Sequence, residues 1–323
     1  MLAQKRVYRR RDERKNGVQD RPLTDHDLAI LQAVYEFRVI TQAQLRRILF
    51  GHVRSPAIAS KKLGRLYDLK YLHRDILFTK KGGRGENFYV PDKRGVQALA
   101  LESPEQSYKF FPSYKNLKND YIRHVLAVGD FRILITEACQ LSGYEIEWLP
   151  EVYFRAPGGY DRISISGEIV GIVPDGAFCI IRGGQRSIFF LELDRGTVRL
   201  DRYRAKLKAY LAYGKDLKYY ERFNDWLTPE QVRRRSPSMR VLTVVVPESG
   251  NDHAGKIRLK HLITQVQHPD VAAMQPARRF WFERLSKLSP QNILREPVWI
   301  VKPAEPPATL LEEFEANEHI RHR

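Results

Sequence analysis

Three carboxylates lie close together in the segment IVPDGAFCIIRGGQRSIFFLELDRGT, at Asp175, Glu192 and Asp194. Gly183-Gly184 between two apolar runs signals a two-residue β-hairpin, because glycine supplies the positive φ that primed turns need. With those glycines as the central pair, Ala177 faces Phe190 and Asp175 faces Glu192, while Asp194 lies on the same strand face as Glu192. Opposed side chains have Cβ atoms about 5 Å apart, and like charges at that spacing destabilise the pair. Such a row among Ile, Phe and Cys calls for a cation. A hard divalent ion, Mg²⁺ or Mn²⁺, is held by one or two carboxylates plus water and phosphate oxygens, and can activate a water against a phosphodiester. The expected metal ligands are therefore Asp175, Glu192 and Asp194. The alternative is purely structural: Asp175 caps a strand, while Glu192 and Asp194 pair with Arg195, Arg199 or Arg202.

The next segment adds a cation. Arg199, Tyr203, Lys206 and Tyr210 recur at helical spacing just beyond the acidic strand. Lys206 is placed to orient or stabilise an attacked phosphate, giving Asp175, Glu192 and Lys206 as the candidate catalytic set; the plainer reading is a surface lysine beside an aromatic core stripe.

These residues need a scaffold, and the order of elements over 118–302 supplies a mixed α/β one. A helix over about 118–141 precedes a strand near Glu145–Tyr153, the hairpin over about 170–194 and a helix over about 198–213. MRVLTVVVP reads as a doubly buried strand, AGKIRLKHLITQVQ as a helix, RRFWFERL as a strand, and EPVWIV closes the domain.

Ahead of it, residues 23–100 predict three short helices and a hairpin, the order of a winged helix-turn-helix. Thr24 and Thr41 are the expected N-caps. The third helix runs to about Lys70 with Ile58, Leu63, Leu66 and Leu69 as its buried stripe. The later helix of such a domain presents side chains to base edges. Here these are Arg54, Ser55, Lys61, Lys62 and Arg65, with Lys80, Lys81 and Arg84 at the hairpin tip over phosphates. Residues 1–22 read as a flexible basic arm, 101–117 as a linker docked through Phe110 and Phe111, and 303–323 as a Pro-rich, acidic tail.

Charge agrees with a polyanionic partner. The net charge is +17, and residues 1–117 carry 24 Lys and Arg against 12 Asp and Glu. A field so concentrated attracts double-stranded DNA; the competing use of such a domain is protein contact. Cys139 and Cys179 are too few and too far apart for a disulfide framework or zinc site, and are expected as buried thiols. No run reaches the roughly 18 apolar residues of a membrane helix, the basic N-terminus lacks the apolar core of a secretory signal, and KKGGRG lacks the strand–loop–helix context of a phosphate loop. The expected location is a reducing cytoplasm. No closely spaced histidine cluster accompanies the tyrosines, as the metal of a tyrosine-based relaxase would require.

The pattern PD–x(16)–ExD, then GT, then Lys206 and Tyr210, resembles the replication-relaxation family of bacterial plasmid and mobile-element proteins. The winged helix and the helix YIRHVLAVGDFRIL carrying His124 are similar to that family as well, so the resemblance covers roughly residues 20–220. It implies a bacterial cytoplasmic protein of plasmid replication or DNA relaxation, with replication or mobilisation proteins as partners. The α-β-hairpin-α order further resembles the PD-(D/E)xK nuclease core, which implies metal on Asp175 and Glu192. Two departures stand out: Asp194 occupies the usual lysine position, leaving Lys206 to substitute from the helix, and the first helix shows no clear acidic residue. His124 is expected to be packed rather than a ligand. A non-catalytic replication or transcription regulator with a degenerate nuclease-like scaffold is the competing reading.

Overall fold

The computed structural model describes residues 13–15, 17–50, 56–78, 84–112, 117–156, 159–165, 167–235, 239–247, 251–276, 278–303 and 305–311. The chain forms two compact units, Met1–Ile133 and Leu134–Arg323, so the division falls inside a helix rather than in the 101–117 segment.

In the first unit, α1 (Asp25–Phe37) opens at Thr24 with a capping box: the Thr24 side chain accepts from the Asp27 amide, and Asp27 accepts from the Thr24 amide. β1 (Ile40–Thr41) leads into α2 (Gln42–Leu45), capped in the same way by Thr41 and Gln44 and continued as a wider turn to Phe50. α3 (Pro56–Asp68) follows, then the hairpin β2 (Leu72–Phe78) and β3 (Arg84–Pro91), with β1 added on the other edge of β3. This is the expected order of three helices and a hairpin. One position departs from it. Ala59, Leu63, Leu66 and Tyr67 set the buried face of α3, and Ile58, a rotation of about 100° away, stands exposed.

Two other expectations are corrected. The end of the basic arm is docked, because the Arg14 guanidinium lies 4.5 Å over the Tyr67 ring and donates to Asp92 at 2.9 Å. The predicted linker is structured at both ends of what is described. α4 (Lys93–Glu102) extends into it, and Tyr108 then packs edge-on against Tyr35, 4.9 Å between centroids. Tyr108 thus docks this stretch, in which Phe110 is half-buried and Phe111 exposed. α5 (Asn119–Ser142) crosses the division.

The second unit is built on a five-stranded mixed sheet. β4 (Glu145–Pro150), α6 (Glu151–Arg155), the small hairpin β5 (Arg162–Ile165) and β6 (Glu168–Gly171), then β7 (Gly176–Arg182) and β8 (Gln185–Asp194) come first. α7 (Leu200–Tyr213), α8 (Leu217–Arg222), α9 (Pro229–Arg234), β9 (Arg240–Val245), α10 (Asp252–Val266), α11 (Pro269–Ala272) and β10 (Phe280–Arg284) complete it. The strand order is β10-β9-β8-β7-β4, antiparallel from β4 to β8 and parallel from β8 to β10. All six residues of β9 are buried, as a doubly covered strand requires.

The predicted strand Glu145–Tyr153 ends early, since Pro150 has no amide to extend the ladder and α6 begins at the next residue. The β5–β6 hairpin was not anticipated. The start of the predicted tail is anchored: Ala308 bridges Trp299, and the buried Arg240 guanidinium donates to the Leu310 carbonyl at 2.9 Å.

Candidate functional site

The carboxylate segment folds in the predicted register. Gly183 and Gly184 have φ of 54° and 81°, Ala177 pairs with Phe190, and Gly176 pairs with Leu191. Asp175 lies just before β7, in a bend, and its amide donates to the Leu191 carbonyl at 3.0 Å. Its carboxylate turns back to accept the Leu193 amide at 2.7 Å, so Asp175 sits against the peptide that follows Glu192. The intervening Gly176 is required by space: a Cβ there would lie 2.5 Å from the Trp148 ring.

Glu192 continues the stripe of Ile188 and Phe190 that faces the aromatic core beneath α7. Lys206 and Tyr210, one helical turn apart on α7, both reach it. The Lys206 ammonium bonds Oε2 at 2.5 Å and the Tyr210 hydroxyl donates to Oε1 at 2.5 Å. The Lys206 side chain is 44% accessible and that of Glu192 only 8%, so the pair runs from a buried carboxylate to an ammonium near the surface. Burial raises the Glu192 pKa above the usual carboxylate range and Asp175 adds to this, against the pull of Lys206 and Tyr210. Burial opposes charge on Lys206 too, but Glu192 and Asp175 outweigh it and hold the ammonium above its ordinary range.

Asp194 does not join them. Arg258 of α10 grips it in a bidentate pair, both contacts at 2.8 Å, and the Gly196 amide donates to it at 2.8 Å. Both of its oxygens are therefore engaged within the protein. Arg258 lies 64 residues beyond Asp194, and Arg199 pairs with Asp201. Among the described residues no group of three or more His, Cys, Asp or Glu is placed to hold a metal ion.

Sequence reasoning missed Glu151. Pro150 pairs with Gly176, which pairs with Leu191, so Glu151 at the start of α6 and Asp175 just before β7 flank the end of the ladder at which Glu192 follows Leu191. Glu151 adds to the negative field on Lys206 and bonds Arg155 at 2.6 Å. Extending the hairpin register across β4 would have found it. His124 is half-buried on α5, and Cys139 and Cys179 are buried thiols whose pKa burial pushes up to about 12.

In the first unit, Arg54, Ser55, Lys80 and Lys81 lie outside the described residues, and of Arg84 only the backbone at the start of β3 is described. Lys61 is exposed on α3. Lys62 and Arg65 are not simple outward cations, because they clamp the buried Asp27 at 3.5 and 2.6 Å and so tie α3 to α1. Burial works against the charge of Asp27, but the Thr24 hydrogen bonds and these two cations hold its pKa below the usual value. Between the end of the arm and α3 runs a groove of about 850 Å³. Lys15, Arg21, Lys61, Lys62, Arg65 and Arg74 line it together with Asp27 and Asp68.

A sequence family described as replication-relaxation matches residues 31–225. No curated protein matches the chain in sequence. Among solved structures, the restriction endonuclease FokI is similar at 13% identity and a TM-score of 0.23, over 73% of this chain and 40% of that one. FokI bound to DNA is similar at 11% identity and a TM-score of 0.19, over 82% of this chain and 50% of that one. The chain thus spans half or less of the length of these structures, and the likeness is too loose to define a shared fold. No described helix is long and apolar enough to cross a membrane.

Proposed function

The chain belongs to the replication-relaxation family, and on that footing we propose that it binds double-stranded DNA of plasmid or mobile-element type and cleaves one strand with a divalent metal ion. The observation that carries the cleavage reading is the Lys206–Glu192 bond with Asp175 held on the peptide that follows Glu192, close enough to act on the charge of both. The oxygen donors suit a hard ion such as Mg²⁺: Asp175 and Glu192 would hold it, with water and phosphate oxygens completing its shell. Such an ion activates a water and neutralises charge on the phosphodiester. Tyr210 fixes the Glu192 carboxylate from behind, and Lys206 is near enough to the surface to meet a phosphate. The first unit, read as a winged helix with α3 as its DNA-docking helix, supplies the grip through Lys61 and the groove cations, while Lys62 and Arg65 fix the helix that carries them.

One observation favours a second reading, a DNA-binding replication factor with an inactive nuclease-like scaffold. Both oxygens of Glu192 are already bonded, and Asp194 is spent on Arg258. Supercoiled-plasmid nicking with Mg²⁺ or Mn²⁺ separates the two. The proposal expects metal-dependent nicking that Glu192→Gln abolishes; DNA-binding protein that never nicks any plasmid carrying its site supports the scaffold.

A further inference from the structure

Ile58 is the third residue of α3 and 44% exposed. An isolated apolar side chain at a surface needs no explanation, but the surroundings of this one are specific. Lys61 lies one turn along the same exposed side, and Ile58 shares its groove with Lys15, Arg21 and Arg74. The clamp of Lys62 and Arg65 on Asp27 fixes the helix that presents it.

A helix docked in the major groove offers its N-terminal residues to base edges, and that is where Ile58 stands. Among the four bases only thymine carries a methyl group on its major-groove edge. Against any other edge, Ile58 would cover hydrogen-bonding groups without replacing their lost water. We propose that Ile58 determines sequence specificity by packing on a thymine methyl while the surrounding cations hold the flanking phosphates. This rests on the DNA-binding reading above.

The test is selection of the full chain and of Ile58→Ala on a randomised duplex library, followed by replacement of the selected thymine with deoxyuridine, which removes only the methyl. The expected result is a selected motif with a fixed thymine, and deoxyuridine weakening binding of the native chain about three- to fivefold, the worth of one buried methyl. Ile58→Ala should bind both duplexes equally, with an unchanged melting temperature because the side chain is exposed. A motif without thymine, binding without sequence preference, or equal affinity for the two duplexes overturns the role of Ile58 and leaves DNA binding standing. Failure of folded native protein to retain any duplex overturns both.

Discussion

Glu192 is a buried carboxylate whose charge is tolerated because Lys206 and Tyr210 meet it. Breaking a buried pair by removing one partner costs about 3–5 kcal/mol, but Lys206 is nearly half exposed and water screens it. Lys206→Ala should therefore lower stability by about 1–3 kcal/mol at neutral pH. The pH dependence has a definite sign. The folded pKa of Glu192 is raised above 4.5, so its neutral form is favoured by folding, and stability present below that value is lost as pH rises through the folded pKa. Without Lys206 the pKa rises further, so the deficit of the variant should be small near pH 4 and grow toward pH 7. Urea unfolding at both pH values measures it; a deficit that does not depend on pH would show that Lys206 does not compensate this charge. Which carboxylate meets which cation was only partly legible in the sequence. Lys206 follows from helical spacing on the next element, whereas Arg258 lies 64 residues beyond Asp194, on a helix whose phase against the sheet no local pattern specifies.

Among the elements, the hairpin β7–β8 was readable because two glycines fix a turn and a turn fixes every later pairing. The phase of α3 was not. Leucine spacing allows either Ile58 or Ala59 on the inner face, and tight packing selects the small residue. The β5–β6 hairpin lacks a paired-glycine turn and was missed for that reason. The junction of α1 with α3 makes its own prediction. Asp27 completes the capping box of α1 and receives Lys62 and Arg65, and its folded pKa is depressed below 3.8. The stabilisation this brings is complete above the unfolded value and disappears as pH falls through the folded one. Asp27→Asn should destabilise the first unit by about 1–2 kcal/mol at pH 7, the range of a lost cap, and by much less near pH 3. Amide hydrogen exchange of α1 at the two pH values reads this directly. Equal protection of variant and native protein at pH 7 would mean that the clamp contributes nothing.

For the whole molecule, the charge is divided unequally: residues 118–323 carry 31 Lys and Arg against 26 Asp and Glu, so most of the +17 belongs to the first third of the chain. On the proposed function the first unit grips DNA and the second acts on it, so either property can be lost alone. Affinity for duplex DNA should fall steeply with salt as phosphate-bound counterions are released, with a slope set by the number of cations engaged. Lys61→Ala should reduce that slope by about one contact without changing the melting temperature. Lys62→Ala should lower both affinity and melting temperature, because Lys62 also holds Asp27. Glu192→Gln should leave affinity and slope where they are in the native chain while plasmid nicking is lost. If Glu192→Gln changed the salt slope as much as Lys61→Ala, the carboxylates would lie on the path of the bound duplex. Gripping and acting would then share one surface, and the division of labour read from the charge distribution would be wrong.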